Sequence, residues 1–258
     1  NIRAHPPAGA VLVITRNKRT HHSIWMVRFL LHFSDINVFT GRTVDNNGNA
    51  KSVNQTGKTG INGAFFVRTP DPINHPTQYK NMVLNIAYYH GKCLNTGVNP
   101  DDAHTNDQGH GVVGWDGTFA RYHEDISDAD ELNFVTKSNS WAQGGVALWL
   151  GTKYWKDKFI DQIGESLLKS SALRTAMICD LGTSNNVYLI ITASATTVEK
   201  FRAAIEDLFD INDDSGLASE DFQGIMLDGG SSTQMYVDDK NIGNSAAVPE
   251  HIILVNDN

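Results

Sequence analysis

Cysteine is scarce in this sequence, with only Cys93 and Cys179 among its 258 residues. Two thiols can form at most one bridge, which excludes a small fold held together by a disulfide framework. Cys179 follows the apolar residues 176–178 and is expected in the core, whereas Cys93 begins a polar stretch. We therefore predict that the two cysteines are not bridged.

Positive charge is also limited, because the chain carries 21 Lys and Arg against 29 Asp and Glu, a formal net charge of −8 at pH 7. The densest basic run, within residues 16–19, is short. Binding to nucleic acid by counterion release needs clustered basic residues, so no nucleic-acid partner is expected. No apolar run reaches the roughly 18 residues of a membrane-spanning helix, so no membrane span is expected either.

What the sequence does contain is a series of short apolar runs separated by turn residues. Hydrophobic residues make up 40% of the chain, and most of the runs are as long as strands and rich in β-branched side chains. One helix is predicted after Thr197, a suitable N-cap, because Phe201, Ala204 and Leu208 recur at helical spacing. No linker divides the chain. The sequence therefore predicts one α+β domain over residues 1–258, with a central mixed, mostly antiparallel sheet and few helices.

The strongest local signal for a functional site is the turn that follows the apolar residues 222–227. An acid stands at the end of this predicted strand, and the glycines after it let the backbone approach a ligand closely. Hydroxyl groups and successive backbone N–H groups in the turn suit an anion such as phosphate. The alternative is a plain tight turn in which the acid bonds to its own backbone. The residues of this turn are Asp228, Gly229, Gly230, Ser231, Ser232 and Thr233.

Asn62 stands beside Gly63 in a short apolar segment that also contains Phe65. A side-chain amide in such a segment can be held rigidly at the wall of a binding pocket. The alternative interpretation is that Asn62 caps a turn and that the phenylalanines belong to the core.

Arg174 interrupts an otherwise apolar segment and is followed by Thr175. A largely buried arginine needs an anionic ligand or partner, so this residue is a candidate for binding phosphate. The alternative is a structural ion pair. A further candidate is Gln143, which precedes Gly144 and Gly145 and then an apolar run; its alternative is a plain turn.

Taken in order, these four segments resemble the phosphodiester glycosidase family. The resemblance rests on the segments of residues 62–66, 143–148, 174–176 and 227–235 and covers about residues 23–256. The sequence departs from the commonest family pattern at Ser231, where a third glycine is usual, and in a long loop over residues 91–111.

The resemblance implies a hydrolase that cleaves the bond between the anomeric carbon of a sugar and a phosphodiester, releasing sugar and a phosphomonoester. Its partner would be a carbohydrate phosphodiester substrate. We expect Asp228 to be the catalytic carboxylate, as nucleophile, base or anchor of a sugar hydroxyl. We expect Arg174 and the backbone of residues 229–232 to bind the phosphate, and Asn62 to orient the substrate. The remaining expected substrate contacts are Gly63, Phe65, Gln143, Gly144, Gly145, Thr175, Gly229, Gly230, Ser231, Ser232 and Thr233.

Two other classes of protein remain open at this stage. One is a non-catalytic module that binds a carbohydrate or sugar phosphate on a cell or virion surface, and the other is a structural domain whose glycines serve turns. No cofactor or metal is expected, because His104 and His110 lie in a polar loop without tight ligand spacing. The expected location is extracellular, or on the surface of a cell or virion. The oligomeric state stays open.

Overall fold

A computed structural model describes residues 10–16, 23–32, 36–40, 51–71, 75–83, 85–95, 110–126, 131–182, 184–211, 219–237, 239–248 and 250–254. The strands in these ranges are β1 (Ala10–Arg16), β2 (Ser23–His32), β3 (Ile36–Thr40), β4 (Gly60–Asn62), β5 (Phe66–Asp71), β6 (His75–Val83), β7 (Ala87–Tyr89), β8 (Lys92–Asn95), β9 (His110–Trp115), β10 (Ala120–Ile126), β11 (Trp141–Ala147), β12 (Thr175–Asp180), β13 (Asn186–Thr192), β14 (Phe222–Leu227), β15 (Gln234–Val237), β16 (Lys240–Gly243) and β17 (Glu250–Leu254). The α-helices are α1 (Trp155–Ile163), α2 (Glu165–Lys169) and α3 (Val198–Leu208), and short 3-10 helices span Val53–Thr56 and Gly230–Ser232.

The strands form two main sheets and one separate hairpin. A ten-stranded sheet has the order β1-β2-β13-β12-β14-β11-β7-β8, with β9 also pairing to β11 and β10 to β9. A five-stranded sheet has the order β16-β15-β4-β17-β3, and β5 pairs with β6 alone. Within the described ranges every strand pair is antiparallel. The predicted α+β fold, mostly sheet with few helices, is confirmed.

The large sheet is covered on both faces, which explains why its central strands carry apolar side chains on both faces. On β12, Met177 and Cys179 belong to one buried cluster with residues of the five-stranded sheet such as Ile61. The intervening Ala176 and Ile178 belong to a second cluster with the helices. Successive side chains of a strand point to opposite faces, so a strand between two layers must be apolar throughout.

Helix α3 begins where the sequence predicted. Thr197 is the N-cap, and its side-chain oxygen accepts a hydrogen bond from the backbone N–H of Lys200. The buried face of the helix includes Phe201 and Ala204, packed in the helix-side cluster. Helices α1 and α2 were not predicted from the sequence. Helix α1 buries only Trp155 and Phe159, and α2 buries no residue completely, so neither has a long apolar stripe at helical spacing.

The prediction for the cysteines is confirmed, since both thiols are free, with Cys93 exposed and Cys179 buried. The Cys179 thiol donates to the carbonyl of Gln223 at 3.1 Å, and burial raises its pKa to about 12. Among the described helices, none has the length and apolar character needed to cross a membrane.

Candidate active site

The candidate site is built around the turn that follows β14. Asp228 is the first residue after the strand, and Gly230 adopts the left-handed conformation with φ of 59°. Gly229, in contrast, has an extended backbone with φ of −122°. Ser231 has a negative φ and an exposed side chain, so a serine at this position creates no backbone strain.

The Asp228 carboxyl group is largely buried and is held by hydrogen bonds from within its own turn. The backbone N–H of Gly229 donates to Oδ1 at 2.8 Å, and the Ser232 side chain bonds to the same carboxyl group. Burial raises the pKa of Asp228 from 3.8 to about 6, and these two hydrogen bonds only partly oppose that effect. Among the described residues, the groups that lower this pKa are hydrogen-bond donors, and none of them is a cation. A largely buried carboxyl group whose pKa is raised in this way is a candidate functional group.

Asn62, at the end of β4, lies directly beneath this turn and is completely buried. Its Nδ2 donates to the carbonyl of Asp228 at 2.8 Å and to that of Gly63 at 3.4 Å. Its Oδ1 accepts from the hydroxyl of Thr175 at 3.0 Å and from the backbone N–H of Gln234 at 3.1 Å. The side chain therefore joins the five-stranded sheet to the end of β14 and to β12.

Arg174 precedes β12 and is 1% exposed. Its Nε donates to the carbonyl of Thr196 at 3.2 Å, and its Nη2 donates to the carbonyl of Ser170 at 2.5 Å. A longer bond of 3.4 Å reaches the carbonyl of Leu167. Burial lowers the pKa of the guanidinium below its usual value. The carbonyls of Leu167 and Ser170 lie in the last turn of α2 and just after it, where a cation also interacts favourably with the helix dipole.

Most backbone N–H groups of the turn are already bonded within the protein. Gly229 donates to the Asp228 carboxyl group, and Gly230 donates to the carbonyl of Leu173 at 2.8 Å. Ser232 and Thr233 donate to the carbonyls of Gly229 and Gly230. Of the four backbone donors of residues 229–232 that were expected to bind phosphate, those of Gly229, Gly230 and Ser232 therefore already have acceptors within the protein.

The glycine pair in β11 allows backbones to approach closely. A Cβ on Gly144 would lie 2.8 Å from the backbone nitrogen of Ile86, and one on Gly145 would lie 2.5 Å from the carbonyl oxygen of Met226. Gln143 is completely buried, and its Nε2 donates to the carbonyl of Gly144 at 2.8 Å. Gly145 therefore lies against β14 at Met226, two residues before Asp228.

The structure thus brings most of the predicted residues together at one end of β14. The Asn62 side chain, the Thr175 hydroxyl and the Thr233 hydroxyl form one buried network, with 3.3 Å between the two threonine oxygens. Arg174 packs its Cδ 3.9 Å from the place where a Cβ on Gly229 would stand. Phe65 is partly buried against the helix-side cluster, and its backbone N–H donates to Asn85 Oδ1 at 3.2 Å.

Two residues that support the site were not singled out from the sequence. Gln234 accepts from the backbone N–H of Val53 at 2.7 Å and donates to the carbonyl of Ser232 at 3.1 Å. Asn244 donates from its side chain to the carbonyl of Gly230 at 2.7 Å. A polar residue opening an apolar strand was the only signal for Gln234, and no sequence signal identified Asn244.

No metal-binding group appears in the part of the chain that the structure describes, where no three His, Cys, Asp or Glu side chains cluster suitably. The loop with His104 lies outside the described residues, and so does the side chain of His110.

Comparison with solved structures identifies the fold. The catalytic domain of zebrafish N-acetylglucosamine-1-phosphodiester alpha-N-acetylglucosaminidase, auto-inhibited by its pro-peptide, matches with a TM-score of 0.61 and 12% identity over 98% of this chain and 84% of that chain. A Burkholderia pseudomallei protein assumed to be exported matches with a TM-score of 0.51 and 10% identity over 94% of this chain and 76% of that chain. No family model and no curated protein matches the sequence. The chain shares the fold of that enzyme domain.

Proposed function

We propose that this protein is a hydrolase that cleaves the glycosidic bond between the anomeric carbon of a sugar and a phosphodiester. The observation that carries the proposal is the Asp228 carboxyl group, which is largely buried at a strand end and has no cationic partner among the described residues. Burying an ionisable group costs free energy, and groups whose pKa is shifted by burial cluster at functional sites. The shared fold and the order of the four sequence segments support the same function.

The chemistry proposed for Asp228 follows from its charge. Water adds at the anomeric carbon while the bond from that carbon to the phosphate oxygen breaks. The phosphate oxygen keeps the bonding electron pair and leaves with the phosphomonoester. The sugar takes the water oxygen as a hydroxyl group, and the other proton of the water passes to a base or to solvent. Because phosphate is a good leaving group, the site needs little acid assistance and mainly a carboxylate near the oxocarbenium-like centre. With a pKa of about 6, Asp228 is mostly ionised at neutral pH and can act as nucleophile, base or anchor for a sugar hydroxyl.

The proposed contacts with phosphate differ from those expected from sequence alone. Arg174 supplies positive charge beneath the turn, but its Nε and Nη2 donors are bonded to main-chain carbonyls. We therefore propose that Arg174 stabilises the turn and attracts the phosphate group by its charge, without a direct hydrogen bond to it. The exposed Ser231 supplies a hydroxyl group at the open side of the turn.

A second candidate function is a module that binds a carbohydrate without cleaving it. The observation in its favour is that the backbone donors of Gly229, Gly230 and Ser232 already have protein acceptors, which leaves few donors for a phosphate group. On either function we propose an extracellular or surface location, in line with the assumed export of the Burkholderia protein.

A panel of sugar-1-phosphate diesters, assayed for released reducing sugar, tests the proposal directly. The hydrolase reading expects catalytic release that is lost in the Asp228→Asn variant. If the wild-type protein retains a diester but releases no reducing sugar from it, the protein is a binding module instead.

A further inference from the structure

The buried side chains beneath Asp228 form a network whose role the sequence did not indicate. Asn62 and Thr175 are both 0% exposed, and they come from different sheets. The Thr175 hydroxyl donates to Asn62 Oδ1 at 3.0 Å, and Asn62 Nδ2 donates to the carbonyl of Asp228 at 2.8 Å. A chain of two hydrogen bonds therefore leads from β12 to the backbone of the candidate catalytic residue.

We propose that Asn62 and Thr175 are a positioning pair that fixes the backbone of Asp228, and that neither residue contacts the substrate. This inference rests on the proposed function, and it replaces the expectation that these two side chains bind substrate directly.

The first argument is that Asn62 has no hydrogen-bonding capacity left for a ligand. A carboxamide has two N–H donors and an oxygen that accepts two bonds. Both donors of Asn62 are used, on Asp228 and Gly63, and its oxygen accepts from Thr175 and Gln234. A substrate group could bond to Asn62 only by displacing one of these partners.

The second argument is that the network acts at the point where Asp228 leaves its strand. The backbone N–H of Asp228 donates to the carbonyl of Gly63 at 3.1 Å, while its carbonyl accepts from Asn62. Residues 62–63, at the end of β4 and just after it, therefore bond to both polar groups of the Asp228 backbone. Since the φ and ψ angles of Asp228 set the direction of its side chain, fixing these two groups aims the carboxyl group.

The third argument comes from the strand register. Thr175 is the register partner of Leu227 in the β12–β14 pair, so it lies beside the residue before Asp228. Its hydroxyl is also 3.3 Å from that of Thr233, at the far end of the same turn. Thr175 therefore links both ends of the turn that carries Asp228.

Thr175→Val tests the proposal, because valine keeps the shape of threonine and removes only the hydroxyl. Thr175→Ser is the matched control, since it keeps the hydroxyl and loses only a methyl group. With a sugar-1-phosphate diester that the wild type cleaves, we expect Thr175→Val to lower kcat by about 10² with KM within about twofold. Thr175→Ser should retain most of the wild-type kcat. Asn62→Ala, which removes the bond to Asp228 itself, should lower kcat at least as much.

A second measurement does not depend on turnover. Selective ¹³C labelling of aspartate carboxyl groups lets the titration of Asp228 be followed by NMR, with Asp228→Asn identifying its signal. We expect the titration midpoint and chemical shift of Asp228 to change in Thr175→Val and to return toward wild type in Thr175→Ser. If the wild type cleaves no diester, the proposed function fails, and the NMR titration still decides whether the pair positions Asp228.

The result that would overturn the proposal is a rise in KM with unchanged kcat in folded Thr175→Val or Asn62→Ala. That pattern would show direct substrate contact. An Asp228 titration that is identical in wild type and Thr175→Val would overturn it as well. If Asn62→Ala fails to fold, Thr175→Val decides alone, because it leaves no cavity.

Discussion

The carbonyl of Leu173 accepts a hydrogen bond from the backbone N–H of Gly230 at 2.8 Å, although 57 positions separate the two residues. The same oxygen would lie only 2.7 Å from a Cβ on Gly229. The backbone just before β12 therefore packs directly against the turn after β14. This contact ties the segment of Arg174 to the turn of Asp228 and explains why no side chain fits at Gly229.

The two glycines of the turn should respond differently to alanine. Gly229→Ala places a Cβ against the backbone of Leu173, which cannot move without disturbing β12, so we expect a loss of about 2 kcal/mol or more in stability. Gly230→Ala meets no atom within 4 Å, so only its φ of 59° is strained and about 1 kcal/mol is expected. Urea unfolding of both variants measures the difference. Gly57→Ala, also at positive φ in open space, is the control, and equal losses at positions 229 and 230 would contradict the packing argument.

Asp228→Asn should separate catalysis from structure. The amide keeps the size of the side chain and an oxygen that can accept from Gly229, but it removes the charge. We expect turnover to fall by about 10³ or more, while the variant is at least as stable as wild type at pH 8. Thermal unfolding and reducing-sugar release from one preparation check both parts. A destabilised variant with normal turnover per folded molecule would end the assignment of Asp228 as the catalytic carboxylate.

The raised pKa of Asp228 also predicts how stability depends on pH. Its pKa is about 6 in the folded protein against 3.8 as the ordinary value, so the folded state binds the proton more tightly. The resulting stabilisation is complete below the pKa of Asp228 in the unfolded chain and is lost as pH rises through about 6. The free energy of unfolding changes by at most about 3 kcal/mol over this range. The difference in unfolding free energy between wild type and Asp228→Asn, measured from pH 4 to pH 8, should follow this curve. A difference that does not vary with pH would contradict the shifted pKa.

Arg174→Lys should lower stability, because a lysine ammonium cannot present donors to Thr196 and Ser170 in the geometry of a guanidinium. Losing one or two buried charge-assisted bonds is expected to cost about 3 kcal/mol. Thermal unfolding and activity per folded molecule are the measurements, and the exposed Lys200→Arg is the control. Normal stability with strongly raised KM would instead show that Arg174 binds the phosphate.

The buried pair of Arg202 and Glu206 in α3 gives a prediction away from the site. Arg202 donates to the carbonyls of Leu148 and Trp149, and Glu206 accepts from the backbone N–H of Gly151 at 2.9 Å. Glu206→Gln leaves the arginine charge buried without its counter-ion, so we expect a loss of about 3–5 kcal/mol. Chemical denaturation measures it. A loss comparable to that of the exposed Glu199→Gln would show that the pair is not important for stability.

The sequence by itself determined the local elements, because their signals lie within a few residues of one another. The cap at Thr197 and the spacing of Phe201 and Ala204 predicted α3, and the apolar run ending at Asp228 predicted β14 and its turn. The sequence also distinguished a core cysteine from an exposed one. In each case the deciding interaction is short in range, so periodicity and residue type are sufficient.

Only the tertiary structure decided which partners the polar residues of the site have. The Arg174 guanidinium donates to the carbonyls of Ser170 and Thr196, and the Asn62 amide bonds to the Thr175 hydroxyl and to the carbonyl of Asp228. A side chain's residue type states what it can donate or accept, but its actual partners come from segments far away in sequence. Their positions follow from strand order and packing, which no local pattern encodes.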